Sequence, residues 1–219
     1  ADKETHMKNN PKKSGGLFIT AGILMLVSAI VLSGYNLYDE YRAGQSAGAI
    51  LKELQRQIPI VQTPQETTAQ EIYLPDDSQL PDYLINPDME MPEEEILENY
   101  YIGIVQIPSL EICLPVINEW SYDALQIAPC RYSGSAYTGN LVIAAHNYLT
   151  HFGSIKTLSP GAQVIFTDVK GRSFLYEVDA VETVQSTAVE DVLSEKWNLT
   201  LFTCTPGGFE RVVVHCLKL

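Results

Sequence analysis

The sequence predicts an all-β domain, a closed barrel or a sandwich, standing behind one apolar N-terminal helix. Three observations carry this. No charged residue occurs from Ser14 to Tyr38. From Gln57 to Glu98 there are eleven Asp or Glu and no Lys or Arg. From Asn99 to the C-terminus, short apolar runs alternate with Gly- and Pro-containing turns, which is the pattern of many short strands.

The first six residues, ADKETH, precede Met7 and read as a vector-encoded remnant outside the fold. Residues 7–14 carry Lys8, Lys12 and Lys13 and read as a cytoplasmic N-terminus. Residues 15–38 follow, centred on LFITAGILMLVSAIVL. About 20 mainly apolar residues suffice to span a bilayer as a helix. Lysines before the span, with Asp39 and Glu40 after it, place the N-terminus in the cytoplasm and the rest outside. A cleaved signal peptide is the rival. Its apolar core is usually shorter and ends at small residues, and Tyr35-Asn36-Leu37-Tyr38 is a poor cleavage site. An uncleaved signal anchor is therefore the expectation; a buried core helix is the weaker third reading.

Residues 39–98 read as a helical stalk followed by an acidic linker. YDEYRAGQSAGAILKELQRQI has helix-forming composition, and from Pro59 the chain turns to Pro, Gln, Thr and acids. Most of the net charge of -13 lies here. Such a segment stays solvated without its own core, and its acidity argues against a nucleic-acid partner. Leu80–Pro92, LPDYLINPDMEMP, carries more apolar side chains than a solvated linker needs, so it is expected to pack along the outside of the domain.

Residues 99–219 form the expected folded domain. YIGIVQIP, EICLPVI, NLVIAA, QVIFTD, SFLYEVDAVETV, LTLFTC and RVVVHCLKL read as strands. QIAPCRYSGSAYTG reads as turn-rich, and AVEDVL leaves room for one helical turn. About 120 residues can bury one adequate core.

The chemistry concentrates near the C-terminus. Cys204 closes one strand, Thr205-Pro206-Gly207-Gly208 turns, and Arg211 opens the next. A short hairpin can set the two side by side. A fixed positive charge beside a thiol favours thiolate and can stabilise an oxyanion during acyl transfer. The alternative is a buried cysteine near a rim arginine. A cysteine nucleophile needs a base nearby in space. His146, at the mouth of an apolar strand, is the first candidate and His151 the second. His151 and His215 otherwise read as hydrogen-bonded structural residues. Cys113, Cys130 and Cys216 are an odd number beside Cys204; a Cys113–Cys130 disulfide and two buried thiols both remain open. His146 and His151 lack the i, i+4 spacing of a metalloprotease pair, and no acidic cluster has a calcium-ligand pattern. No metal or cofactor is expected.

These residues resemble a known family. TLFTC, Thr200–Cys204, matches the TLxTC signature of sortases. Arg211 falls where that family has its essential arginine, and NLVIAAHNYLTHFGSIKTLSPGAQVIF resembles the segment carrying its catalytic histidine. The resemblance spans roughly residues 100–219. Departures are Ala145, where many relatives have Gly, and the short spacing between Cys204 and Arg211. The resemblance implies an eight-stranded sortase β-barrel with short helices, preceded by the transmembrane helix. It implies a membrane-anchored cysteine transpeptidase of the Gram-positive surface. Cys204 would be nucleophile, His146 general acid/base and Arg211 the oxyanion and substrate-positioning group, with Thr203 lining the substrate groove. Its partners would be surface proteins or pilins with an LPxTG-like sorting motif. A cell-wall precursor or pilin lysine would be the amine acceptor. Some pilus-building relatives close the site with an N-terminal lid, and Asp88 and Met89 are the lid candidates here. The short span before Leu199 disfavours class B and leaves classes C, D and a class A-like enzyme open. A sorting-motif protease that mainly hydrolyses, and a catalytically silent adhesion module, are the alternatives.

Overall fold

The computed structural model describes residues 14–58, 81–188, 192–193 and 196–219. It divides into two units, Ala1–Glu40 and Tyr41–Leu219. Helix α1, Ser14–Gln57, contributes to both. In the first unit its side chains, Leu17, Ile23, Leu26 and Ile30 among them, are exposed apolar groups. One 18-residue window has a mean hydropathy of 2.3, and the helix is long and apolar enough to cross a membrane. Thr20 and Ser28 donate their hydroxyls to the carbonyls of Gly16 and Leu24, each at 2.9 Å, so neither polar group needs an outside partner.

In the second unit the end of α1 is part of the folded domain. Ala43, Ala47, Ile50 and Leu54 recur every three or four residues, which places them on one helical face. All four are buried, with Ile58 just beyond the helix. Ala47 joins the main core; Ile50 and Leu54 join a second cluster with Tyr101, Ile117 and Ala144. The segment expected as a stalk is docked here rather than projecting.

Among the described residues nine strands follow: β1 (Glu94–Ile96), β2 (Asn99–Ile107), β3 (Ile112–Ile117), β4 (Cys130–Ser133), β5 (Leu141–Ala145), β6 (Gln163–Asp168), β7 (Ser173–Gln185), β8 (Leu199–Cys204) and β9 (Glu210–Lys218). Eight form a closed ring in the order β2-β3-β4-β5-β8-β9-β7-β6, with β6 returning to β2. β1 pairs with β2 outside the ring. Closure runs from Gly103 opposite Asp168 to Gln106 opposite Ile165. Gly103 is needed at this seam, because any Cβ there would collide with the carbonyl oxygen of Thr167. Most pairings are antiparallel; β3–β4 and β5–β8 are parallel. Ile143, Phe166, Phe174, Tyr176, Leu201 and Val214 fill the interior.

Among the described residues there are also two short α-helices, α2 (Asp82–Ile85) and α3 (Tyr122–Leu125), and two 3-10 turns, Pro108–Leu110 and Ile155–Thr157. The Ser121 hydroxyl caps α3 by accepting from the Ala124 N–H at 3.0 Å. The segment around α2 lies against the domain. Tyr83 stacks on Tyr137 with ring centroids 4.8 Å apart, meets Phe174 edge-on, and has the Arg172 guanidinium over its ring at 5.3 Å. Met91 is buried, and its sulfur accepts from the Ala136 N–H.

β4 departs from the sequence reading, which took this stretch as a turn. Pro129 and Gly134 bracket a four-residue strand, and its pairing with β5 shifts register between Arg131 and Ser133, which erases any clean alternation. The register also excludes the Cys113–Cys130 disulfide. Cys130 lies opposite Ile117, four residues along β3 from Cys113, about 13 Å at the usual strand rise. A disulfide needs the two Cα atoms within about 7 Å. All four cysteines are free. The helical turn expected in AVEDVL falls largely outside the described residues.

Leu54→Ala should lower the unfolding free energy by about 2–4 kcal/mol, because it opens a cavity under the docked part of α1. Leu24→Ala, at an exposed position of the first unit, should change barrel stability by less than about 0.5 kcal/mol. Denaturant unfolding of the full chain in detergent, followed by tryptophan fluorescence, measures both.

Candidate active site

Cys204 is the last residue of β8, and Arg211 sits directly opposite it on β9. Residues facing each other across an antiparallel pair project from the same side of the sheet, with Cβ atoms roughly 5 Å apart. Thr205 holds the connecting turn: its N–H donates to the Glu210 carbonyl, and its hydroxyl accepts from the Glu210 N–H. The Arg211 guanidinium is aimed by donating to the carbonyls of Gly208 at 3.0 Å and Glu210 at 3.1 Å.

The other neighbour of β8 is β5, which runs parallel to it. Ala144 lies beside Phe202 and Ala145 beside Thr203, so His146 leaves β5 at the level of Cys204. The Thr203 hydroxyl donates to the Ala145 carbonyl at 2.8 Å and ties the two strand ends together. Alternation along the strands then sorts the faces. Ala145, Leu201 and Val212 point into the barrel core. Ala144, Phe202, Cys204 and Arg211 lie on the outer face and line a groove of about 200 Å³. Its wall includes Trp120, Tyr122 and Tyr132, joined edge-to-face with Phe202: Trp120–Tyr122 at 5.0 Å, Trp120–Tyr132 at 5.8 Å, Tyr132–Phe202 at 5.2 Å. The groove therefore joins an aromatic floor to a thiol and a cation at one end. Thr203 is buried and borders it, chiefly as the tie to β5.

His146 is half-buried, and its ring stacks on Tyr148 with centroids 4.6 Å apart and planes 22° from parallel. Tyr148 also meets His151, with ring centroids 5.6 Å apart. His151 is fully buried, and neither ring nitrogen has a hydrogen-bond partner, which corrects the expectation of a hydrogen-bonded structural histidine. Burial first, and the nearby His146 second, hold its pKa down to about 4. His151 is thus a neutral ring beside the site, unsuited to be its base. His215 stands apart on β9. It is buried, bonded to Glu182 at 2.8 Å, close to Thr200, and covered by the Trp197 ring at 4.8 Å. Cys130 and Cys216 are buried thiols whose pKa values are pushed up to about 12, which leaves them inert as nucleophiles.

Asp88 and Met89 lie elsewhere. Asp88 is exposed, Met89 packs against the main core cluster, and neither lines the Cys204 groove. The sequence reading missed the aromatic floor. Phe202 was legible, two residues before Cys204 and so on its face; Trp120 and Tyr132 arrive from other elements, with no local signal. Among the described residues, no group of His, Cys, Asp and Glu could hold a metal ion.

A thiol and a guanidinium lining an apolar groove, with an imidazole following the end of the neighbouring strand, make a site suited to covalent acyl transfer. The family model described as "Sortase domain" matches residues 105–218, and the chain belongs to the sortase family. Solved structures resemble it as well. Sortase C of Streptococcus pneumoniae is 25% identical, with 57% of this chain and 70% of that one covered and a TM-score of 0.49. A lid mutant of sortase A from Corynebacterium diphtheriae is 23% identical, with 62% and 75% covered and a TM-score of 0.50, and supports the shared fold. Sortase C of Clostridium perfringens, solved with the C-terminal cell wall sorting motif, is 26% identical, with 64% and 77% covered and a TM-score of 0.49. A comparison with curated protein sequences finds no match.

The depressed pKa of His151 has a consequence for stability. Between pH 6.5 and 4 the unfolded chain binds a proton at this position that the folded chain does not, so stability falls as pH falls through that window. The contribution lost is on the order of 3 kcal/mol. His151→Leu should flatten the pH dependence of urea unfolding between pH 6.5 and 4 relative to wild type; an unchanged slope would show that His151 is solvated.

Proposed function

We propose that the chain is a membrane-anchored cysteine transpeptidase that cuts an LPxTG-like sorting motif and joins it to an amine. The observation that carries this is the strand register: Cys204 faces Arg211 across β8–β9, and His146 follows the residue paired with Thr203 across β5–β8.

The steps balance as follows. The Cys204 thiolate attacks the carbonyl carbon of the scissile peptide bond, and the negative charge moves to the carbonyl oxygen. Arg211 stabilises that oxyanion. The C–N bond breaks as protonated His146 gives its proton to the leaving amine, and a thioester to Cys204 remains. Neutral His146 then accepts a proton from an incoming amine, which attacks the thioester and releases Cys204 as thiolate. The apolar groove of Trp120, Tyr132 and Phe202 holds the aliphatic part of the motif. The amine belongs to a cell-wall precursor or to a pilin lysine.

The apolar part of α1 is read as the signal anchor. Lys8, Lys12 and Lys13 before it favour a cytoplasmic N-terminus and a domain outside the cell, on a Gram-positive surface.

The full chain in detergent micelles, given LPxTG- and NPxTx-type peptides with and without a small amine, should form a Cys204 thioester visible by mass spectrometry and an amine adduct. Cys204→Ala and His146→Gln should abolish both. Arg211→Ala should lower kcat by roughly 10²–10³-fold, in the range of a lost oxyanion donor. Hydrolysed peptide without amine adduct would make the enzyme a protease. A folded chain that forms no thioester with any peptide would overturn the proposal.

A further inference from the structure

The docked end of α1 reaches the loop that follows His146. Gly44 faces Thr150 so closely that a Cβ added at Gly44 would lie 3.0 Å from the threonine Cγ2 and 3.2 Å from its Cβ. Tyr41, Gly44 and Gly48 of the helix, with Leu149 and Thr150 of the loop, line a cavity of about 400 Å³. The helix cannot easily shift away from this contact, since Ala47 and Leu54 on its buried face are fixed in the two core clusters.

The loop is a tight unit. The Phe152 N–H donates to the His146 carbonyl at 3.1 Å, and the N–H groups of His151 and Gly153 both donate to the Tyr148 carbonyl, at 2.9 and 2.8 Å. Gly153 passes so near the Asn147 and Tyr148 carbonyls that a side chain there would collide with them. Phe152 is fully buried in the barrel core and anchors the far end. Within the unit, the Tyr148 ring contacts both the His146 and the His151 rings. Thr150 and His146 are thus joined through one hydrogen-bonded turn and one ring contact, the route by which a push on Thr150 reaches the His146 ring.

We propose that the docked end of α1 is a positioning element of the active site: through Gly44 against Thr150 it fixes the His146 loop, and through Tyr148 it fixes the His146 imidazole. The inference rests on His146 being the general acid and base. Gly44 then serves as more than a helix residue. Its missing side chain sets how closely the helix and the loop approach, and Tyr148 is a positioning residue that touches the base, not the substrate.

Gly48 supplies the control, on the same helix, because a Cβ there meets nothing within 4 Å. Gly44→Val and Gly48→Val change helix propensity alike, but only the first pushes on Thr150. The full chain in detergent micelles, labelled with ¹³C at histidine Cε1, gives a His146 signal assigned through His146→Gln. Gly44→Val should shift that signal and remove the upfield ring-current displacement that the stacked Tyr148 imposes; Tyr148→Leu should do the same, and Gly48→Val should leave it in place. With the sorting-motif peptide, Gly44→Val should lower kcat roughly ten- to hundredfold with KM unchanged, the effect of a catalytic group moved by a fraction of an ångström. A His146 signal unmoved by Gly44→Val in a folded protein, or moved equally by Gly48→Val, would overturn the inference. A wild-type chain that forms no thioester, while the signal responds as expected, would instead count against the transpeptidase reading and leave the placement standing.

Discussion

The site depends on one parallel strand pair. β5 and β8 are separated in sequence by two whole strands, yet they lie side by side with Ala145 level with Thr203. A parallel pair cannot be joined by a hairpin, so the chain has to leave β5, build β6 and β7 on the opposite wall, and return. The hydrogen bond from the Thr203 hydroxyl to the Ala145 carbonyl locks the two ends at one level. A slip of one residue would turn Cys204 inward and carry His146 past it, because side chains alternate faces along a strand. The antiparallel partner β9 is simpler, since a short turn sets Arg211 opposite Cys204 from within the same hairpin.

The barrel wall keeps two chemical environments apart although they are one side chain thick. Inside are Ile143, Leu201 and Val214; outside, on neighbouring positions of the same strands, are Ala144, Phe202 and Cys204. The outer face is apolar but not sealed, which leaves Cys204 half-buried while Cys130 and Cys216 are wholly enclosed. Four thiols of one chain thereby divide into a reachable one and others whose protons are held by burial, with Cys113 between the extremes.

The elements legible in the sequence were those whose signal is local. Seven of the eight ring strands show as apolar runs between turns, and the hairpin that joins Cys204 to Arg211 shows in its Pro-Gly-Gly break. β4 did not, because a proline and a glycine bracket its four residues and a register shift interrupts its pairing. The docking of α1 was hidden for a different reason. Ala43, Ala47, Ile50 and Leu54 form a short stripe among Gly, Ser and Gln, and small residues signal close approach only once their partner is known. His151 looked like a residue that would find a partner; its sequence neighbours Thr150 and Phe152 gave no hint that the loop would enclose it without one. The grouping of Cys204, His146 and Arg211 was legible as a resemblance. Its aromatic floor was not, since Trp120 and Tyr132 reach it from separate stretches of chain.

Barrel closure has a consequence for the proposed peptide substrate. β8 has β5 on one edge and β9 on the other, and β9 is likewise taken on both sides, by β8 and β7. The main-chain groups around Cys204 and Arg211 are therefore already paired within the sheet. An extended peptide entering the groove cannot join there as an additional strand, with the sequence-blind affinity that main-chain pairing gives. Discrimination falls to side-chain shape and to the few polar groups at the rim. On the proposed reading, a chain that selects one short motif among many extended tails is served by a groove whose two strands, β8 and β9, have no free edge.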